Sequence, residues 1–352
     1  MISNMRRVYI DNLKWMFIFL LIPYHAAMAW NVWGEPNYIF FEGNKIISSI
    51  VVFLNPYFMP FMFLAAGIST RFALQKRTIW QYLAERLKRL LMPFVFGTLL
   101  IMPLMTYIAD KFNCGYHGNL FEHYLVFFHK FTDLTGADGG FSVGQFWFIL
   151  YLFLISCLSL GLIVLQKKVM PECRIDLPLW MICLFGLPLP FLHQLLSIGG
   201  KSIAEYMYMF LTGYYIFSNE TISKTENYKW LFLCIGSIAA FLYVYFILWS
   251  AGQYPMLKIS KYVSEWFMSV GLLGIGKKYF LFHGKVSQYM TKRSYGFYVF
   301  HYICIVLMQY VMYQWYPENI VLLYVMPVLG AYCLTFMCCE ICIRIPILHC
   351  FI

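Results

Sequence analysis

Charge is what this sequence is shortest of. Asp, Glu, Lys and Arg make up 12% of the chain, against about a quarter in soluble domains, while 61% of its residues are hydrophobic and 20% aromatic. Such a composition cannot clothe a water-exposed surface, and it reads as a polytopic membrane protein. No soluble domain is left over, because the longest connection between apolar runs, Ala109 to Gly144, spans only about 36 residues and is itself aromatic in FEHYLVFFHKF. Internal repeats and low-complexity tracts are absent, and so is the G-x-S-x-G elbow of serine hydrolases. A disulfide framework is not expected either: the eleven cysteines lie mostly inside apolar segments, as small buried residues do. Cys338, Cys339 and Cys342 have no second ligand pair nearby, and the six-residue steps of His117, His123 and His129 keep these histidines off a common helix face. No metal is therefore expected, and the three histidines are expected to face solvent or the acceptor.

What is present is a series of apolar runs long enough to cross about 30 Å of hydrocarbon. Ten are counted: Leu13 to Trp30, Ile46 to Thr70, Leu87 to Ile108, Gln145 to Gln166, Pro178 to Ser197, Ile203 to Ser218, Trp230 to Ser250, Tyr262 to Gly276, Ser294 to Tyr313 and Ile320 to Ile343, the sixth marginal and the eighth short. The expected fold is thus all-α, one transmembrane helical bundle of about ten spans occupying 1–352. Basic residues and Ala27-Met28-Ala29 in the first run imitate a cleavable signal, but Lys14 and His25 do not suit an apolar signal core. With the N-terminus inside, 20 of the 26 Lys and Arg fall on the cytoplasmic side, so both termini are expected in the cytoplasm. Topology alone then accounts for the net charge of +10, and nucleic acid is not needed as a partner.

Against this apolar background the ionisable residues stand out, because an ionisable group in a span is costly and by default marks function. In Tyr9 to His25, YIDNLKWMFIFLLIPYH, Lys14 and His25 are eleven residues apart, about three turns plus roughly 20°, and share one helix face. Asp11 sits near the same stripe. In YLAERLKRLLMPF, Arg86 and Arg89 are three apart and suit phosphate oxygens, although juxtamembrane arginines commonly hold only lipid headgroups. GQFWFILYLF places Gln145 and Trp147 at a membrane interface, where tryptophan often serves as an anchor. SYGFYVFHYI aligns Ser294, Tyr298 and His301 on one stripe, a pattern that packing between helices also produces.

The order of these patches resembles the acyltransferase family 3 integral-membrane enzymes, and its Asp-Asn-Leu version looks most like the glucan biosynthesis protein C type. The resemblance is carried by Asp11-Asn12-Leu13-Lys14 with Tyr24-His25, FMPFMFLAAG ending in Gly67, Arg86-x-x-Arg89 before Pro93, Phe146-Trp147-Phe148, and Ser294-Tyr295 to His301. One position departs from the pattern, with Lys14 where the family usually has arginine, which keeps the charge but loses the planar fork. The resemblance implies transfer of an acyl group, acetyl or succinyl, from cytoplasmic acyl-CoA to a hydroxyl of a cell-envelope carbohydrate, in the bacterial inner membrane. It makes His25 the general base, with Lys14 and Asp11 orienting the site, Arg86 and Arg89 on the CoA phosphates, and Trp147, Ser294, Tyr298 and His301 toward substrate. Acyl-CoA would be a donor substrate rather than a resident cofactor. The competing reading is a proton-coupled secondary transporter or flippase, built on Glu205, Glu265, Glu340 and the intramembrane histidines.

Overall fold

A computed structural model describes residues 2–169, 177–250 and 254–345; the side chains of residues 2–7 and 254 lie outside that description, and with them Arg6 and Arg7, as does all of Arg174. The chain is helical, as the composition requires: α1 (Ile2–Met28), α2 (Lys45–Leu74), α3 (Ile79–Asn113), α4 (Leu120–His129), α5 (Gly144–Val169), α6 (Leu179–Leu192), α7 (Ile203–Tyr215), α8 (Asn219–Asn227), α9 (Lys229–Leu248), α10 (Tyr254–Tyr279), α11 (Lys285–Trp315) and α12 (Ile320–Arg344). Ser197–Ile198 and Lys201–Ser202 add a small antiparallel hairpin.

Among the described residues, six helices are long and apolar enough to cross a membrane: α2, α3, α5, α9, α11 and α12. The other four expected spans fall elsewhere. The run from Pro178 to Ser197 is broken at Phe185 to Pro188 into Leu179–Leu184 and Leu189–Leu192, where prolines withhold the amide protons a continuous helix needs. The run from Ile203 gives only the 13-residue α7, and the first and eighth runs lie within α1 and α10, whose charged residues keep them out of the six.

Local chemistry sets the helix ends and bends. A capping box of Thr78 and Gln81 opens α3, and Asn119 with Glu122 opens α4. Within α3 the backbone widens into π turns at Leu87–Leu91 and Gly97–Ile101, each just ahead of a proline, Pro93 or Pro103. A proline ring crowds the carbonyl four residues earlier and offers it no proton, and a wide turn relieves both.

The chain divides into two compact units: Met1–Met16, Val52–Leu87 and Tyr151–Thr291 form the first, and Phe17–Val51, Lys88–Leu150 and Lys292–Ile352 the second. In the first, α2 and α7 cross at Gly67 and Gly213, where a methyl group on either would run into the opposite backbone. Buried Tyr82, Leu160 and Ala73 make one core cluster there, and Val52, Tyr243, Val244 and Leu248 another. In the second unit, Phe19, Phe297, Phe336 and Tyr332 stack into an aromatic core shared by α1, α11 and α12.

Candidate active site

In the first unit, the entrance of α1 carries Asp11 and Lys14 with their charged ends 4.0 Å apart. Lys14 Nζ also donates to Ser69 Oγ on α2, and Ser69 in turn donates to the Ala65 carbonyl at 2.8 Å. Asn12, between them and fully buried, has a structural task. Its amide nitrogen donates to the Phe280 and Phe282 carbonyls at 2.7 and 2.9 Å, and its oxygen accepts from Trp15 Nε1 and Ser287 Oγ at 2.9 and 2.6 Å. With every polar atom of Asn12 used, the first turns of α1 are pinned and the Lys14 ammonium is aimed. Arg86 is half-buried, its guanidinium lying 4.7 Å over the Tyr82 ring and donating to Thr70 Oγ1 at 3.4 Å. Its Nε is enclosed and has no hydrogen-bond partner among the described residues. In the second unit, Arg89 is exposed and lies within the π turn Leu87–Leu91.

The second unit holds His25 and His301. His25 sits in the last turn of α1, and neighbouring side chains hold that turn. Pro23 cannot donate to the Phe19 carbonyl, which instead accepts from Tyr332 Oη at 3.0 Å. The Pro23 carbonyl accepts from Tyr324 Oη at 3.2 Å, the Ala26 carbonyl from Gln309 Nε2 at 3.0 Å, and the Met28 carbonyl from Asn31 Nδ2 at 3.0 Å. These bonds supply the carbonyl that Pro23 leaves bare and add side-chain donors along the last turn and at the helix end. Held in this way, the His25 imidazole stacks on Tyr302 with ring centres 4.0 Å apart and 25° between planes, and stands 5.2 Å from the His301 ring. Tyr302 Oη is anchored on Asn37 Oδ1 at 2.7 Å. Tyr38, edge-on to Tyr302, hydrogen-bonds Ser142 at 3.2 Å.

His301 is fully buried, and its Nδ1 faces the Tyr298 carbonyl at 2.7 Å. Only a protonated Nδ1 can make that contact, so Nε2 carries the free lone pair. Neither His301 Nε2 nor His25 Nδ1 has a hydrogen-bond partner among the described residues. Two adjacent imidazoles with enclosed, unpaired nitrogens can take up a proton from a bound hydroxyl.

Of the residues singled out from sequence, the second unit brings together His25, His301 and Tyr298, whose ring lies 5.9 Å from that of His301. The first unit brings together Asp11 and Lys14. Trp147 is half-buried beside Phe148, and Ser294 lies one turn before Tyr298 on α11. Tyr302 and Asn37 emerge only from the structure, which also turns Gln145, marked in the sequence as an interfacial residue, into a buried one. Tyr302 adjoins His301 and Gln145 opens the Gln-Phe-Trp-Phe stretch, but nothing in the sequence marks Asn37. The expectation that the three connecting histidines face outward holds for His117 and His129 and fails for His123, which is fully buried with Nε2 3.3 Å from the Asp110 carboxylate. The amphipathic α4 rolls its 123–127 face inward, carrying His123 beneath Tyr107 and Tyr116.

Comparison with curated proteins and with solved structures returns no match for this chain. A family model does match: the one described as an acyltransferase domain covers residues 7–343, from the basic entrance of α1 to the end of α12. With nearly the whole chain matched and six membrane-length helices present, the protein belongs to acyltransferase family 3 and is an integral-membrane acyltransferase.

Proposed function

We propose that the protein moves a short acyl group, acetyl or succinyl, from acyl-CoA on the cytoplasmic side to a hydroxyl of a cell-envelope carbohydrate, with His25 as general base. The observation that carries this reading is the His25 imidazole, stacked on Tyr302 beside His301 with an unpaired nitrogen. The acceptor hydroxyl gives its proton to His25 as its oxygen attacks the thioester carbonyl. The tetrahedral intermediate then collapses, the C–S bond breaks, and the departing thiolate takes the proton back as CoA thiol. Lys14, held by Asp11 and Ser69, has with Asp11 the part of orienting the donor at its cytoplasmic mouth. Arg86 and Arg89 hold the CoA phosphates, and Trp147, Ser294, Tyr298 and His301 contact substrate.

The charge bias supports cytoplasmic termini and a bacterial inner-membrane location, which puts the arginines on the side where acyl-CoA is made. The Asp11-Asn12-Leu13 motif supports a place near the glucan biosynthesis protein C type. A carrier reading would rest on the fully buried Glu265 carboxylate beside Glu205, and membership of an acyltransferase family favours the enzyme.

The test supplies labelled acetyl-CoA and succinyl-CoA to the purified protein in lipid, and follows envelope glycans by mass spectrometry in cells with and without the gene. Donor-dependent labelling, lost in His25→Ala with insertion unchanged, is the expected result. Undiminished labelling in His25→Ala removes His25 from the mechanism. Arg89→Ala is expected to raise the acyl-CoA concentration for half-maximal rate, and an unchanged donor dependence refutes the phosphate role.

A further inference from the structure

Gln145 opens α5 in the second unit, and two successive carbonyls of α11 dictate how its side chain and that of His301 are used. The Val299 carbonyl is an acceptor, so of the two ends of the Gln145 amide it is Nε2 that turns toward it, at 3.3 Å, and Oε1 that turns the other way. The Tyr298 carbonyl, one residue earlier, takes the Nδ1 proton of His301 at 2.7 Å and leaves Nε2 bare. Tyr298 ties the two together, its hydroxyl donating to the backbone carbonyl of Gln145 while its ring lies 5.9 Å from His301. Gln145 is 4% exposed and His301 0%, yet neither Gln145 Oε1 nor His301 Nε2 meets a donor among the described residues. One turn back on α11 the enclosed hydroxyl of Tyr295 also has no partner among the described residues.

Buried acceptors are almost always matched by donors, and these two are held in place by backbone that cannot turn to satisfy them. What they call for is a ligand rich in O–H groups. The thioester group of an acyl-CoA has only acceptors and the arm behind it a single amide N–H near the sulfur, whereas an acceptor substrate with neighbouring hydroxyls has a donor for each of the two atoms. We propose that Gln145 Oε1 and His301 Nε2 form an acceptor pair that binds two hydroxyls of a polyhydroxy, sugar-like substrate. This rests on the proposed function for the identity of that substrate as the acyl acceptor, but the pair itself is a binding site whether or not transfer follows.

The experiment uses the full-length protein in lipid nanodiscs and a neutral glucose tetrasaccharide as probe, with binding read by saturation-transfer NMR. A permethylated version of the probe keeps its shape and acceptors and lacks every O–H. The tetrasaccharide is expected to bind and the permethylated probe not to. Gln145→Met, close in length and without the carbonyl, should weaken binding about tenfold with an unchanged melting midpoint. Gln145→Glu, whose protonated carboxyl restores a donor to Val299 and a free acceptor, should stay within about threefold of wild type. Equal binding of both probes, equal binding by wild type and Gln145→Met, or no binding at all overturns the proposal, the last meaning that the two atoms hold water only. Transfer from labelled acetyl-CoA is followed on the same samples. Gln145-dependent binding without any transfer would sink the enzymatic role proposed above and leave the hydroxyl site standing.

Discussion

Replacing Gly67 by alanine is the most direct test of how the first unit is built. A Cβ placed on Gly67 falls 1.9 Å from the Phe210 carbonyl oxygen of α7, and one on the facing Gly213 falls 2.2 Å from the Leu64 oxygen of α2. A carbon and a carbonyl oxygen come no nearer than about 3.3 Å, so α2 and α7 would have to part by roughly 1.4 Å at the crossing. Backbone on both sides leaves no side chain to swing away. The cost should therefore reach the upper part of the ~1–3 kcal/mol found for overpacked interiors. The same shift reaches the candidate site, since Ser69, which receives the Lys14 ammonium, lies two residues beyond Gly67 on α2. Thermal unfolding in detergent, followed by tryptophan fluorescence, should show a midpoint several degrees lower for Gly67→Ala. Acyl transfer at a temperature where the variant is still folded should fall about tenfold or more. A variant with wild-type midpoint and wild-type rate would refute the crossing as described.

Three further outcomes are expected. Tyr302→Phe keeps the stack on His25 and loses one of two donors to Asn37 Oδ1, the other being the Tyr38 amide at 2.9 Å, so the stability loss should be about 0.5–1.5 kcal/mol; Tyr302→Leu, which removes the stack, should in addition lower the transfer rate at unchanged donor affinity. Tyr332→Phe retains the ring packed 4.2 Å from Phe19 but strips the donor from the carbonyl that Pro23 leaves bare, and chemical unfolding should register a loss of about 1–3 kcal/mol. Burial holds the His123 imidazole below its ordinary 6.5, against the opposing pull of Asp110. The unfolded chain then binds this proton first, so the stability is full above about pH 6.5 and declines as the pH falls toward the folded value. Melting midpoints measured from pH 7.5 to 5 should drop in wild type and drop less in His123→Gln; equal slopes would remove His123 as the cause.

The alternating apolar runs make a helical membrane protein legible, but they overstate how regular its helices are. Pro178 to Ser197 is apolar enough to look like a span, and hydropathy does not register that Pro188 and Pro190 interrupt its hydrogen bonding. Arg86 and Arg89 read as neighbours on a regular helix, and the sequence pattern does not show that Arg89 lies in a π turn just ahead of Pro93. His25 and His301 both stand out as polar residues in apolar surroundings, and helical periodicity puts Tyr298 on the stripe of His301. Their actual pairing required the positions of two helices some 270 residues apart in the chain, which no local pattern encodes. Asn37 was invisible because an asparagine in a connection is ordinary until a buried tyrosine is seen to bond to it.

Scarcity of charge in hydrocarbon makes every ionisable residue conspicuous, so the membrane class, the helical content, the family and the two imidazoles can be read from the order of residues alone. Which nitrogen of His301 stays bare, which way the Gln145 amide turns and the burial of His123 came from the packed chain. Those outcomes depend on which carbonyl or ring a side chain meets at close to 3 Å, and such meetings are set by packing between distant segments and not by any local run of residues.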